Sequence, residues 1–192
     1  MEIVTAHSFW EIIFFFGSNL KIVQNSDIND NGAYIYLYRV ANPRDYGIAE
    51  ISKKDNKIKK IVEKPTNPKS NLAVTGLYVY NNDVIKFVKK LKPSKRGELE
   101  ITDLNNIYLK KNKLQAKIFG RGVAWLDAGT PEKLLEAGEF VKAIENRQGF
   151  KIACLEEISL RNKWISKKIL SKTLLKIPNC EYKDYLKNLI NE

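Results

Sequence analysis

The chain has 192 residues, enough for one domain, or a domain with an appendage, around a sizeable core. Hydrophobic residues make up 44% and charged residues 29%, the balance of a soluble globular protein rather than a disordered or fibrous one. The net charge is +11, yet only 6 of the 33 basic residues are arginine and the lysines are spread along the whole chain. Nucleic-acid readers cluster their charge and favour arginine forks, so no nucleic-acid partner is expected.

The two cysteines, Cys154 and Cys180, have no metal-ligand spacing, and His7 is the single histidine, which argues against zinc and for free thiols in a cytoplasmic protein. No apolar run approaches the roughly 18 to 20 residues that cross a bilayer, so no membrane partner is expected. The densest run, Phe9 to Phe16, is interrupted by Glu11 and lacks a basic leader, and it reads as a strand rather than a targeting segment.

After that atypical start, Leu20–Gln24 leads into a polar loop at Ser26–Gly32. The loop opens like a calcium-binding EF-hand, but Tyr38 stands at the twelfth position where a bidentate glutamate is required. Aromatic and branched residues predict a strand at Tyr34–Val40, and Tyr46–Ile51 and Ile58–Glu63 form a hairpin turned at Lys54–Lys57. Ala73–Tyr80 is a continuous apolar strand, followed by helices at Val84–Leu91 and Glu98–Lys111. Leu114–Phe119 and Val123–Asp127 return to strand, and Pro131–Arg147 is a long helix. From Ile152 onward the pattern is helical, at Leu155–Asn162, Ser166–Lys176 and Tyr182–Asn191.

The junction Gly120–Thr130 organises the chain. Its apolar run closes on Asp127, and Thr130 then caps a helix with Pro131 at the first position and Glu132 and Glu136 near the positive end of the dipole. A carboxylate at the end of a strand, beside a glycine, suits a hard cation or a phosphate, and it equally suits a plain turn. The residues alone leave both open. Elsewhere too a plain structural reading stands: Glu63 and Lys64 as solvated charges, Trp125 and Tyr78 as core, Arg96-Gly97 as loop.

Trp125-Leu126-Asp127-Ala128-Gly129-Thr130 resembles a segment of the sugar-phosphate nucleotidylyltransferases, in particular those that make dTDP-glucose. Tyr46-Gly47, Val62-Glu63-Lys64-Pro65, Val74-Thr75-Gly76-Leu77-Tyr78, Arg96 to Asp103 and Glu145 to Gly149 follow in that family's order. The resemblance runs from about Gly17 to the C-terminus, the last two-thirds of a family member. It implies an α/β fold: a three-layer, Rossmann-like nucleotidyltransferase core with Asp127 ending a strand near its middle, here without its N-terminal strands. The divisions expected are an atypical segment at 1–16, a sugar-binding part at 17–150 and a helical appendage at 151–192.

The activity implied is transfer of a thymidylyl group from dTTP to glucose 1-phosphate, with Mg²⁺ as cofactor and Asp127 as one of two metal-holding aspartates. The resemblance gives Arg96 a catalytic role. It places Tyr46, Gly47, Glu63, Lys64, Val74, Tyr78 and Trp125 around the sugar phosphate, and it implies a homo-oligomer. Two departures stand out. Ile12 falls where the family has its other aspartate, and the 192 residues contain no Gly-rich phosphate loop. The expectation is therefore an N-terminally truncated chain, inactive alone and prone to self-association, with a non-catalytic sugar-phosphate binder as the alternative.

Overall fold

The structure is a computed structural model, and it describes residues 13–17, 32–52, 54, 55, 57–95 and 97–191. Ile12, Leu20–Gln24, most of the Ser26–Gly32 loop and Arg96 lie outside the described residues. By compactness the chain divides into two units, residues 1–133 and 134–192.

The first unit is a mixed α/β structure around a five-stranded sheet of order β4-β3-β5-β2-β6. Its strands are β2 (Ala33–Arg39), β3 (Ile48–Ile51), β4 (Ile58–Val62), β5 (Leu72–Tyr80) and β6 (Leu114–Ile118). The expected hairpin is β3–β4, antiparallel with Ile48 opposite Val62. β5 lies between β3 and β2 and is antiparallel to both, whereas β6 joins β2 in parallel. The central strands β2 and β5 are the most apolar because both faces are covered. The core joins Ile35, Leu37, Ala49, Ile61 and Leu72 from the sheet to Val84, Leu104 and Tyr108 from two helices.

Those helices are α1 (Val84–Val88) and α2 (Ile101–Lys110). Both are shorter than the sequence pattern predicts. Beyond Val88 the chain tightens into bonds three residues long, Lys90 N–H to the Phe87 carbonyl and Leu91 N–H to that of Val88. Before Ile101 the polar groups close a loop instead. Ser94 N–H donates to the Glu98 carbonyl at 2.8 Å, and the Ser94 hydroxyl to the Glu100 carboxylate at 2.8 Å. Such side-chain bonds compete with the first helical turn.

β7 (Val123–Asp127) has the predicted limits but not the predicted place. It pairs antiparallel with β1 (Ile13–Gly17) in a separate two-stranded sheet, with Ile13 opposite Asp127. The expectation of Asp127 ending a strand near the middle of the main sheet is therefore corrected. β7 meets that sheet through the Trp125 side chain, which packs on Tyr38 of β2, rather than through a ladder of backbone bonds.

The second unit holds the greater part of α3 (Pro131–Gln148), then α4 (Leu155–Arg161), α5 (Lys167–Leu174) and α6 (Glu181–Asn191). Its core is Cys154, just before α4, with Leu170 and Leu174 from one face of α5 and Leu186 and Leu189 from one face of α6. Ser166 caps α5, its hydroxyl accepting from Ile169 N–H at 3.3 Å. Both cysteines are free thiols, Cys154 buried and Cys180 exposed.

Glu145 anchors the chain as it leaves α3. One oxygen accepts from the Lys151 ammonium at 2.9 Å and the other from Ile152 N–H at 2.9 Å. Burial pushes this carboxyl up, but Lys151 and Ile152 outweigh it and the net pKa lies below the ordinary glutamate value. A carboxyl depressed on folding stabilises fully above its unfolded pKa and loses that contribution as pH falls through the folded one. Glu145→Gln is thus expected to lower the melting temperature at about pH 7, with the deficit shrinking once the pH drops below about 4.5. Melts across that range check it, and a deficit independent of pH would contradict it.

Candidate functional site

The site is built where three strands present their ends together. The register of β3 on β4 sets Gly47, just before β3, beside Glu63, just after β4. The pairing of Ile48 with Ala73 sets the same glycine beside Val74. Backbone bonds lock the arrangement: Val74 N–H donates to the Gly47 carbonyl at 2.8 Å, and Lys64 N–H to the Tyr46 carbonyl at 3.1 Å. Those groups of Gly47 and Val74 are engaged with each other, which narrows the backbone contact a ligand can make there.

Glu63 is fixed from the helical side. Thr102, buried in the first turn of α2, donates its hydroxyl to Glu63 Oε2 at 2.6 Å. A Cβ on residue 47 would lie 3.0 Å from that carboxylate oxygen and 3.1 Å from the threonine hydroxyl, so any side chain there would press the clamp apart by a few tenths of an ångström. Lys64 follows with an exposed side chain and a φ of +38°, a conformation that costs a lysine roughly 1–2 kcal/mol. Strain of this kind concentrates at binding and catalytic sites.

The second half of the site hangs from the end of β7. Asp127 Oδ1 accepts from Gly129 N–H at 3.0 Å, an Asx turn that ends the strand. Its Oδ2 accepts from the Lys133 ammonium at 2.7 Å, with the aspartate and lysine side chains 18% and 32% exposed. Lys133 lies in the first turn of α3, where its N–H bonds the capping hydroxyl of Thr130 at 3.3 Å. The same ammonium sits 5.1 Å from the Tyr46 ring centre and 3.4 Å from its hydroxyl. Partial burial pulls the Lys133 pKa down, but the bond to Asp127, its charge and Tyr46 outweigh that and raise it above the ordinary lysine value.

Tyr46 joins the two halves. Its ring packs on Trp125 at 5.2 Å, and Trp125 in turn on Tyr38 at 5.8 Å. Among the described residues the buried Trp125 indole N–H has no acceptor. A buried donor left unmet is costly unless something supplies an oxygen.

The structure therefore brings together Tyr46, Gly47, Glu63, Lys64, Val74, Trp125 and Asp127. Tyr78 is buried in the core and stacks on Tyr80, whose hydroxyl bonds Asn105 of α2 at 2.6 Å. Arg96 lies outside the described residues. Thr102, Lys133 and Tyr38 also belong to the group, and sequence reasoning missed them. Thr102 sat inside a quoted motif, and a threonine on an inward helical face was the available signal. Lys133 carried none, since its role comes from the turn at residues 128–130 that brings its side chain back to Asp127.

Among the described residues no group of three Asp, Glu, His or Cys side chains is placed to hold a metal. Asp127 alone still fits Mg²⁺, which keeps several waters and is commonly held by one or two carboxylates plus phosphate oxygens. Any such ion must share Asp127 with Lys133 or displace it.

The nucleotidyl transferase family model matches residues 14–144. A glucose-1-phosphate thymidylyltransferase of Neisseria gonorrhoeae is 44% identical over 94% of this chain and 62% of its own length. One from Mycobacterium tuberculosis is 41% identical over 91% and 59%. The chain thus spans about 60% of the length of these curated relatives. Among solved structures, a Bacillus anthracis protein described as a candidate glucose-1-phosphate thymidylyltransferase, in complex with a sucrose, matches with a TM-score of 0.58 and 41% identity, covering 67% of this chain and 50% of that one. A UDP-glucose pyrophosphorylase complexed with UDP-glucose matches with a TM-score of 0.51 and 28% identity, over 57% and 43%. The chain belongs to the nucleotidyl transferase family.

Proposed function

We propose that this chain carries the sugar-phosphate side of a glucose-1-phosphate thymidylyltransferase. The observation that carries the reading is the clamp of Gly47, Glu63 and Thr102 set directly beside the strained Lys64, with Asp127 and Trp125 linked to it through Tyr46. The identity with curated thymidylyltransferases supports the choice of substrates. In the reaction a phosphate oxygen of glucose 1-phosphate attacks the α-phosphorus of dTTP. The new P–O bond replaces the bond to the β-phosphate, and pyrophosphate leaves.

The nucleophile is already an anion, so the protein's task is positioning and charge neutralisation rather than proton removal. Glu63, oriented by Thr102, accepts hydrogen bonds from sugar hydroxyls. Lys64 meets the phosphate as a point charge. Trp125 walls the sugar and offers its unmet N–H to an oxygen of the ligand. Asp127 would hold Mg²⁺, which when bound supplies positive charge to the phosphates. Arg96 is proposed to assist at the phosphate and Tyr78 to support the wall from the core. A cytoplasmic location and association with further copies complete the reading, and among the described residues no helix is long and apolar enough to cross a membrane.

Calorimetric titration tests it. Glucose 1-phosphate is expected to bind one to one and glucose 6-phosphate at least about tenfold more weakly, because Glu63 and Lys64 demand hydroxyls and phosphate at a fixed separation. Equal affinity for the two would overturn the reading. Ile12 favours a second one, sugar-phosphate binding without turnover, since an isoleucine cannot ligate a cation. Pyrophosphate release from dTTP, abolished by Asp127→Asn, selects the enzyme; binding without release selects the second.

A further inference from the structure

The strongest unexplained feature of the site is that its one candidate metal-holding carboxylate already has a cation. Lys133 Nζ is 2.7 Å from Asp127 Oδ2, a contact as short as charge-assisted bonds become. The ammonium does not sit there by default. The Tyr46 ring at 5.1 Å and the Tyr46 hydroxyl at 3.4 Å complete a seat made of a carboxylate, a π face and a phenol oxygen. The backbone of Lys133 is held by the Thr130 cap, so its side chain is tethered at one end and seated at the other. By contrast Lys57 and Lys86, whose acidic partners are 3.8 and 3.6 Å away, are 82% and 77% exposed against 32% for Lys133. The pair at Asp127 is thus built into the fold, as is the structural pair of Lys151 with Glu145.

We propose that Lys133 is a tethered counter-cation that occupies the Asp127 seat and exchanges there with a divalent ion. The inference rests on the reading of Asp127 as a metal-holding residue. Two cations cannot share one carboxylate oxygen at contact distance without strong like-charge repulsion, and among the described residues no cluster of three acidic or other ligating side chains offsets it. The divalent ion therefore enters only by displacing the ammonium. An ion that brings phosphate oxygens with it does so more readily than the bare ion, because those oxygens replace the missing ligands and offer the freed ammonium an anion. The seat favours metal and phosphate arriving together.

The test is Mn²⁺ binding to the full chain, read by calorimetry or by the free-ion electron paramagnetic resonance signal, with no turnover involved. Lys133→Met keeps the length of the side chain and removes its charge, and it is expected to tighten Mn²⁺ at least about tenfold. Lys133→Arg keeps the charge and should stay as weak as the wild type. Asp127→Asn in the Lys133→Met background should abolish the gain. Circular dichroism melts of each variant confirm that the fold is retained.

Equal Mn²⁺ affinity in wild type and Lys133→Met, or no measurable binding to either, overturns the proposal. Glucose 1-phosphate titrated without metal separates this from the functional reading. A tightened Mn²⁺ site with no sugar-phosphate binding leaves the exchange standing and removes the sugar-phosphate reading. Normal sugar-phosphate binding with unchanged Mn²⁺ affinity does the reverse.

Discussion

Gly47→Val is expected to weaken glucose 1-phosphate binding by about 10- to 100-fold and to destabilise the first unit by about 1–3 kcal/mol. The valine Cβ alone would stand 3.0 Å from Glu63 Oε2 and 3.1 Å from Thr102 Oγ1, closer than nearly all side-chain carbons approach another atom. Thr102 is 4% exposed in the first turn of α2 and cannot retreat, so Glu63 must move. Moving it breaks the 2.6 Å bond that orients the carboxylate and leaves a buried hydroxyl unmet. The two branches of valine add crowding on both sides. Thr102→Ala separates the effects: it removes the bond without the clash and should lose most of the affinity with a smaller fall in melting temperature. Unchanged affinity in Gly47→Val would show that Glu63 takes no part in binding.

Lys64→Gly is expected to divide function from stability in the opposite sense. The lysine holds a φ of +38°, which glycine adopts without penalty. The gain is partly offset by the greater freedom of glycine in the unfolded chain, so the melting temperature should hold or rise slightly. Binding should weaken sharply. A hydrogen-bonded charge on a phosphate is worth roughly 1.5–3 kcal/mol, or about 10- to 150-fold in affinity, and no other described side chain is assigned to that phosphate. Calorimetry for affinity and thermal melts for stability check the two halves. A drop in both together would mean that Lys64 is a structural residue.

Much of this architecture is legible in the sequence because local chemistry sets it. β7 runs from Val123 to Asp127 as predicted, since glycines bracket the apolar run and Asp127 closes its own turn. α3, α4 and α6 begin and end within a residue or two of their predicted limits for the same reason. Partners are less legible than limits. Alternation of apolar residues assigns a strand's faces but not its neighbour, so neither the parallel pairing of β2 with β6 nor the transfer of β7 to β1 follows from the pattern. The site divides along the same line. Glu63, Lys64 and Asp127 stand in contiguous motifs, whereas Thr102 and Lys133 matter only through contacts made across the fold.

The pairing of β1 with β7 joins residues more than a hundred positions apart, Ile13 to Asp127. Closing so long a loop carries a large entropic cost before any contact repays it, and such pairings dominate the slow phases of folding. The helices of the second unit depend on neighbours near in sequence and need no such wait. On topology alone the strand that carries Asp127 is expected to join late, and pulsed hydrogen exchange that protects β7 before the five-stranded sheet would contradict it. The carboxylate and its lysine, only six residues apart, can meet early, but the Tyr46 side of the cation seat closes only when β7 docks on the first unit.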